Sequence, residues 1–230
     1  MKLVLARHGN TFGPDQEGGE KIIVAGCHND LPLVEEGRRQ ARRLAQYLFN
    51  QSIVPDAIYS SRLLRTWEYA VIVREFFHHK NDESMPLRAH DSLMEFDYGK
   101  WAGLCASGKD SQTNEVIARF GKAAWENWQN KRIAPSQEIA AWETTPEEMI
   151  RRMQSFFNEL SQTYGPTHST ILAITSQGNL SFSRALNPGG MEEAVAKEEI
   201  AVQTGKFCLW EWSAEKGWNL IRWNASPKAE

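Results

Sequence analysis

Three short segments carry residue types that could do chemistry. Arg7-His8-Gly9-Asn10-Thr11 sets a cation, an imidazole, a glycine and two hydrogen-bonding side chains within five positions. Gly9 permits close backbone approach, so such a cluster can hold an anion. Ser60-Ser61-Arg62-Leu63-Leu64-Arg65-Thr66 places Arg65 near the start of a helical pattern, where a helix N-terminus beside a guanidinium suits phosphate. In Leu93-Met94-Glu95-Phe96-Asp97-Tyr98-Gly99-Lys100-Trp101, Glu95 stands among apolar neighbours. A carboxyl in such surroundings can be kept protonated for use as an acid. A lone histidine at a strand end is more often structural, so the agreement of the three segments carries the argument.

The elements that must position these groups alternate. Residues 2–6 form a short apolar run that reads as a buried strand, and a loop rich in Gly, Pro and Asp follows from Gly9 to about Pro32. Over 34–49, Ala41, Leu44, Ala45, Leu48 and Phe49 recur at helical spacing. Arg38, Arg39, Arg42 and Arg43 occupy the rest of that cylinder and read as a solvated face. A second strand is expected over 56–60, with Ser61 capping a helix that runs to about Phe77. An extended segment over 85–89 leads to Glu95, and the stretch to about Gly165 reads as helical. Thr145-Pro146-Glu147-Glu148 is a helix start within that stretch.

A buried strand is expected over 170–174, and Gln177-Gly178 opens a short helix. Strands over 207–212 and 218–223 flank Glu215-Lys216-Gly217 as a hairpin. The pattern predicts one α/β domain over 1–230: a three-layer α/β/α sandwich with a mostly parallel central sheet and a helical insertion over about 104–165. In such sheets the chemistry gathers beyond the carboxyl ends of the strands, where the first two segments lie.

Composition narrows the classes. With 230 residues, 41% hydrophobic, the chain can bury a sizeable core, which excludes a disordered chain. A net charge of −3 argues against a dedicated nucleic-acid binder. No apolar run approaches the roughly 20 residues needed to span a bilayer, and 3–6 is too short for a secretory signal. Cys27, Cys105 and Cys208 are too widely spaced for a disulfide framework or a zinc site. They read as reduced thiols of a cytoplasmic protein.

The motifs in order resemble the histidine phosphatase superfamily, also called phosphoglycerate mutase-like, over almost the whole length. Arg7-His8-Gly9 with Thr11 resembles its N-terminal signature, and Asp30-Leu31-Pro32-Leu33 with Gly37, Gln40 and Ala41 the segment after it. Tyr59-Ser60-Ser61 with Leu63 and Arg65 resembles the second arginine motif; Glu95 with Tyr98-Gly99 and Trp101-Ala102-Gly103 resembles that of the catalytic acid. The resemblance implies that His8 is a nucleophile forming a phosphohistidine and that Glu95 protonates the leaving oxygen. It implies that Arg7 and Arg65 hold the phosphoryl oxygens, with Asn10, Thr11, Gln177 and Gly178 completing the phosphate site. It implies no metal and no cofactor. The implied partner is a phosphorylated small molecule; the oligomeric state stays open.

One departure stands out. Where the family has Ser-His-Gly after the strand, this chain has Ser176-Gln177-Gly178. An amide donates a hydrogen bond but carries no charge. Gln177 is therefore expected to donate to bound phosphate, and Gln177→His to raise turnover. Pro14 also stands where many members carry an Asn ligand. His168 is too near the strand start to replace the missing imidazole, and His28 and His90 are the loop candidates. Three readings compete: a phosphomonoesterase; a pseudo-phosphatase that binds a phosphorylated ligand or protein; and a mutase, which Phe96-Asp97-Tyr98-Gly99 disfavours by resembling the phosphatase branch. Trp125, Trp128 and Trp142 could line a lid, but packing is the simpler role, as it is for Trp210 and Trp212.

Overall fold

Alternation along the first strand sets the layers. In the computed structural model, which describes residues 1–12, 22–81, 85–167 and 169–228, β1 spans Lys2–Arg7. Its Leu3 and Leu5 enter one core and its Val4 and Ala6 the other. Side chains of a strand point alternately to opposite faces, so an unbroken apolar run needs cover on both.

The remaining strands are β2 (Ala57–Ser60), β3 (Leu87–Ala89), β4 (Thr170–Thr175), β5 (Phe207–Ser213) and β6 (Gly217–Ala225), in the order β3-β2-β4-β1-β5-β6. The first four are mutually parallel, while β5 runs antiparallel to β1, and β6 antiparallel to β5. The helices α1 (Glu35–Asn50) and α2 (Leu64–Asn81) cover one face through Ala41, Leu44, Leu48, Tyr69, Val73 and Phe77. On the other, α6 (Pro146–Tyr164) packs Met149, Met153, Phe156, Phe157 and Leu160. This is the expected three-layer α/β/α arrangement with a mostly parallel sheet. The insertion contributes α3 (Glu115–Phe120), α4 (Lys122–Lys131) and α5 (Gln137–Ala140); α7 (Gln177–Ser181) and α8 (Gly190–Ala196) follow β4.

Local signals acted as the sequence suggests at several ends. Thr145 caps α6, its hydroxyl accepting from the Glu148 N–H, with Pro146 in the first turn. On α1, Arg38 pairs with Glu68 at 2.6 Å and Arg42 with Glu35 at 2.7 Å, which leaves the arginine face to solvent rather than to an anion. At α2 the expectation fails. The helix begins at Leu64, whose N–H is taken by Asp30 Oδ1 at 2.6 Å, while Ser61 Oγ accepts from the Leu63 N–H ahead of the helix and bonds the Thr66 hydroxyl rather than a backbone N–H of the first turn. A residue 34 positions away supplies the cap. The helix also runs on to Asn81, past Phe77.

Two glycines bring α1 against the first loop. A Cβ on Gly37 would lie 2.2 Å from the Asn10 carbonyl oxygen, and one on Gly9 2.4 Å from that of Gly37. The obstacle is backbone on both sides. Gly37→Ala is expected to cost about 1–3 kcal/mol of stability, the usual penalty for overpacking, as read from urea unfolding.

Candidate active site

The carboxyl ends of β1, β2 and β4 meet at one cavity of about 570 Å³, which Arg7, His8, Arg65 and Gln177 line together. Parallel pairing of β1 with β4 and of β4 with β2 puts these ends side by side. His8 follows β1, and its N–H donates to Thr175 O at 3.1 Å. Its ring is buried, with Nδ1 2.7 Å from Gly9 O and Nε2 3.2 Å from Arg65 Nε. A guanidinium can only donate, so Nε2 is the unprotonated nitrogen and Nδ1–H donates to the carbonyl. Burial, and then the charges of Arg65 and Arg7, hold the imidazole well below its ordinary 6.5. His8 therefore keeps a lone pair on Nε2 at neutral pH.

The two arginines are fixed by backbone carbonyls. Arg65 Nη1 donates to Asn29 O and Nη2 to Gly26 O, at 3.1 and 2.8 Å, with Ser176 Oγ at 3.4 Å. Arg7 Nη1 donates to Val202 O at 2.8 Å, whereas its Nε is buried without a partner. Burial lowers both guanidiniums, Arg7 to about 10, which leaves them charged. An orphaned donor beside a second guanidinium is a site that an oxyanion would satisfy.

Glu95 is buried and held by three backbone donors. Phe96 N and Asn179 N reach Oε1 at 2.9 and 3.2 Å, and Gly178 N reaches Oε2 at 3.0 Å. This explains the glycine after Gln177: a Cβ there would lie 2.2 Å from Glu95 Oε1 and 2.6 Å from the Tyr98 hydroxyl. Tyr98 is itself set edge-on against Trp142 at 4.9 Å, and Trp142 against Trp128 at 4.7 Å. Trp142 and Trp128 thus pack in the core, as the simpler reading had it, though Trp128 and the half-buried Trp125 also line the cavity. Burial, and then the nearby carboxylate of Glu95, keep the Tyr98 hydroxyl neutral, well above 10.

Asn10 and Thr11 line the cavity too. Asn10 Oδ1 accepts from Gln40 Nε2 and the Thr204 hydroxyl, which turns its NH₂ end free of protein partners among the described residues. Gln177 departs from expectation. Its Nε2 donates to Ser181 Oγ at 3.1 Å and to Ile200 O at 3.2 Å, and its Oε1 accepts from Val202 N at 2.9 Å. Both amide hydrogens are spent on the fold, so the donation to phosphate expected of it has no hydrogen left. The amide instead secures the segment whose Val202 carbonyl holds Arg7.

The loop histidines do not take the vacant role: His28 Nε2 pairs with Asp97 at 2.7 Å and His90 with Glu159 at 3.0 Å. Pro14 and His168 lie outside the described residues. Among the described residues one mixed set has metal-ligand chemistry, Cys27, His28 and Asp97, with donor atoms within 4.8 Å of one another. It lines none of the cavity that holds His8. No described helix is long and apolar enough to cross a membrane.

The residue that sequence reading missed is Arg132. It follows α4, is buried, and lines the cavity. Lys131-Arg132 at a helix end reads as a solvated basic cap, and nothing in its spacing signals otherwise.

Comparison with known proteins agrees with this geometry. The sequence pattern of the histidine phosphatase superfamily (branch 1) matches residues 3–226. Over 133 residues the chain is 29% identical to a 2,3-bisphosphoglycerate-dependent phosphoglycerate mutase of Rhizobium etli, covering 58% of this chain and 56% of that one. Phosphoglycerate mutase 1 of Saccharomyces cerevisiae is 30% identical over 141 residues, 61% of this chain and 50% of the mutase. The chain thus matches about half the length of these curated relatives. Among solved structures, a mycobacterial glucosyl-3-phosphoglycerate phosphatase superposes with a TM-score of 0.70 at 22% identity, over 98% of this chain and 99% of that one. A putative alpha-ribazole-5'-P phosphatase from Escherichia coli gives 0.68 at 22%, over 98% and 97%. At such identity these two show a shared fold.

Proposed function

We propose that this chain, which belongs to branch 1 of the histidine phosphatase superfamily, is a phosphomonoesterase acting on a small phosphorylated metabolite through a phosphohistidine on His8. The observation that carries the reading is the His8 tautomer: Nδ1–H on Gly9 O leaves Nε2 unprotonated at the cavity, where it accepts from Arg65 Nε until phosphorus takes its lone pair. In the first step Nε2 bonds to phosphorus as the ester P–O bond breaks, and the proton of a protonated Glu95 carboxyl passes to the leaving oxygen. In the second, water attacks phosphorus, its proton returns to Glu95, and the P–N bond breaks to release inorganic phosphate. Arg7 and Arg65 neutralise the equatorial oxygens in both steps. The scheme uses no metal ion.

A cavity of about 570 Å³ has room for a substrate larger than a glycerate. The two structural neighbours are named for esters of larger alcohols, which supports the same class. The deciding experiment quenches the protein after brief exposure to phosphorus-labelled esters. An acid-labile, base-stable label on His8, followed by release of phosphate to water, is expected; turnover with no label on His8 would overturn the mechanism.

A second reading is favoured by Gln177, whose amide offers the anion nothing. On that reading the protein binds phosphate esters without turnover, and the same quench finds bound ester and no label. The Gln177→His substitution separates the effects. An imidazole cannot make all three bonds of the amide, so Val202 N loses its partner or Ile200 O keeps only the bond from Ser181 Oγ. Stability is expected to fall by about 1–3 kcal/mol. Turnover is then expected to rise no more than a few-fold, the low end of the few-fold to about 100-fold gain expected from the motif alone. A rise on the order of 100-fold with unchanged unfolding would show that the amide's bonds are dispensable.

A further inference from the structure

The cavity carries more positive charge than the motif accounts for. Among the described residues that line it are three guanidiniums, Arg7, Arg65 and Arg132, and one carboxyl group, Glu95. A phosphate monoester near neutral pH is a dianion, and a third guanidinium is a further positive charge for the group transferred.

The place of Arg132 is specific. Its Nε donates to Ser181 Oγ at 3.0 Å, the same oxygen that takes the Gln177 amide at 3.1 Å. The guanidinium therefore lies beside the side chain that stands where relatives carry a second imidazole. Nη1 is spent on the carbonyls of Trp128 and Gln129, and the guanidinium lies 5.2 Å from the centre of the Trp128 ring. Nη2 has no protein partner among the described residues, yet it is not among the enclosed, unsatisfied atoms, so it is left to the cavity. Its electrostatic neighbours are those of the site: Glu95 raises its affinity for a proton, and Arg7 feels its repulsion.

The backbone adds an independent observation. Arg132 has φ +57° at the end of α4, a left-handed conformation that favours glycine or asparagine. A long cation held there, buried and within electrostatic reach of Arg7, is an arrangement that stability alone does not select.

We propose that Arg132 is a catalytic residue that contacts the phosphoryl group through Nη2 and supplies, from the helical insertion, the positive charge that the neutral Gln177 lacks. The inference rests on the phosphoryl site proposed above and names a third guanidinium for it. In the transition state the equatorial oxygens gain charge at the end of the pocket where relatives place imidazole, and Arg132 meets it there. Because Gln177 and Arg132 share Ser181 Oγ, the amide also orients the guanidinium.

The test uses the whole chain and two readouts: calorimetric affinity for orthovanadate, which mimics five-coordinate phosphorus, and turnover of 4-nitrophenyl phosphate. Arg132→Gln removes the charge, and Arg132→Asn removes it with a residue suited to the left-handed backbone, should the first variant unfold. Arg132→Lys keeps the charge. Either charge-deleting variant is expected to lose on the order of 100-fold in orthovanadate affinity and in kcat, with KM changed less than about tenfold. Arg132→Lys is expected to recover a large part of both. A folded charge-deleting variant that binds orthovanadate and turns over within about threefold of the parent overturns the inference. If the parent binds orthovanadate in an Arg132-dependent way but hydrolyses no ester, the hydrolase reading fails and this one stands. A parent that binds neither orthovanadate nor phosphate defeats both.

Discussion

His8→Ala is expected to lower turnover of any phosphomonoester by on the order of 10⁴-fold or more, the usual consequence of deleting a covalent nucleophile. The effect should be chemical rather than structural. Arg65 gives up one acceptor and keeps Asn29 O, Gly26 O and Ser176 Oγ, so its guanidinium stays in place. Affinity for orthovanadate is therefore expected to survive while the label on His8 disappears. The parent's pH profile reports the same atom. Protonation of Nε2 removes the lone pair, and burial with two neighbouring arginines puts that event well below 6.5. As pH falls from 8, kcat/KM should not lose activity to His8 protonation until well under 6.5. A His8→Ala variant retaining more than a few per cent of parental turnover would remove His8 from the chemistry.

What the sequence made legible and what it hid divide along a physical line. Arg7, His8 and Arg65 were legible because an apolar run ends just before them and parallel strands collect their ends at one place. The β1 run and the α1 periodicity are local patterns, and local patterns survive folding. The cap of α2 was misread because Asp30, not Ser61, meets its first N–H. Gln177 lines the cavity, while its amide bonds Ser181, Ile200 and Val202. Its type shows a donor, but where the donor points depends on Ile200 and Val202, more than twenty positions downstream. Arg132 was invisible for a related reason. Only the left-handed turn after α4 and the wall of Ser181 bring its charge inward. A charged side chain outside a motif has no sequence signature for the direction in which it will point.

Glu95→Gln should distinguish leaving groups. An alkoxide must be protonated as it departs, whereas a nitrophenolate departs with little help. In single-turnover phosphorylation of His8, the variant is expected to lose about 10²- to 10⁴-fold with alkyl phosphates and less than about tenfold with 4-nitrophenyl phosphate. Steady-state rates would hide the contrast, because release of phosphate from His8 also needs Glu95, as the base for water, and slows for both. The substitution is not purely chemical. The carboxylate accepts from Phe96, Asn179 and Gly178 through two oxygens, and an amide has one oxygen to offer. A donor then faces a donor at Gly178 or at the Asn179–Phe96 pair, so some stability is lost as well. That loss is common to both substrates and cancels in their ratio, which makes the ratio the informative quantity. Equal losses for alkyl and nitrophenyl esters in the first step would mean that Glu95 acts by holding Gly178 and the start of α7 in place, and that the proton comes from another group.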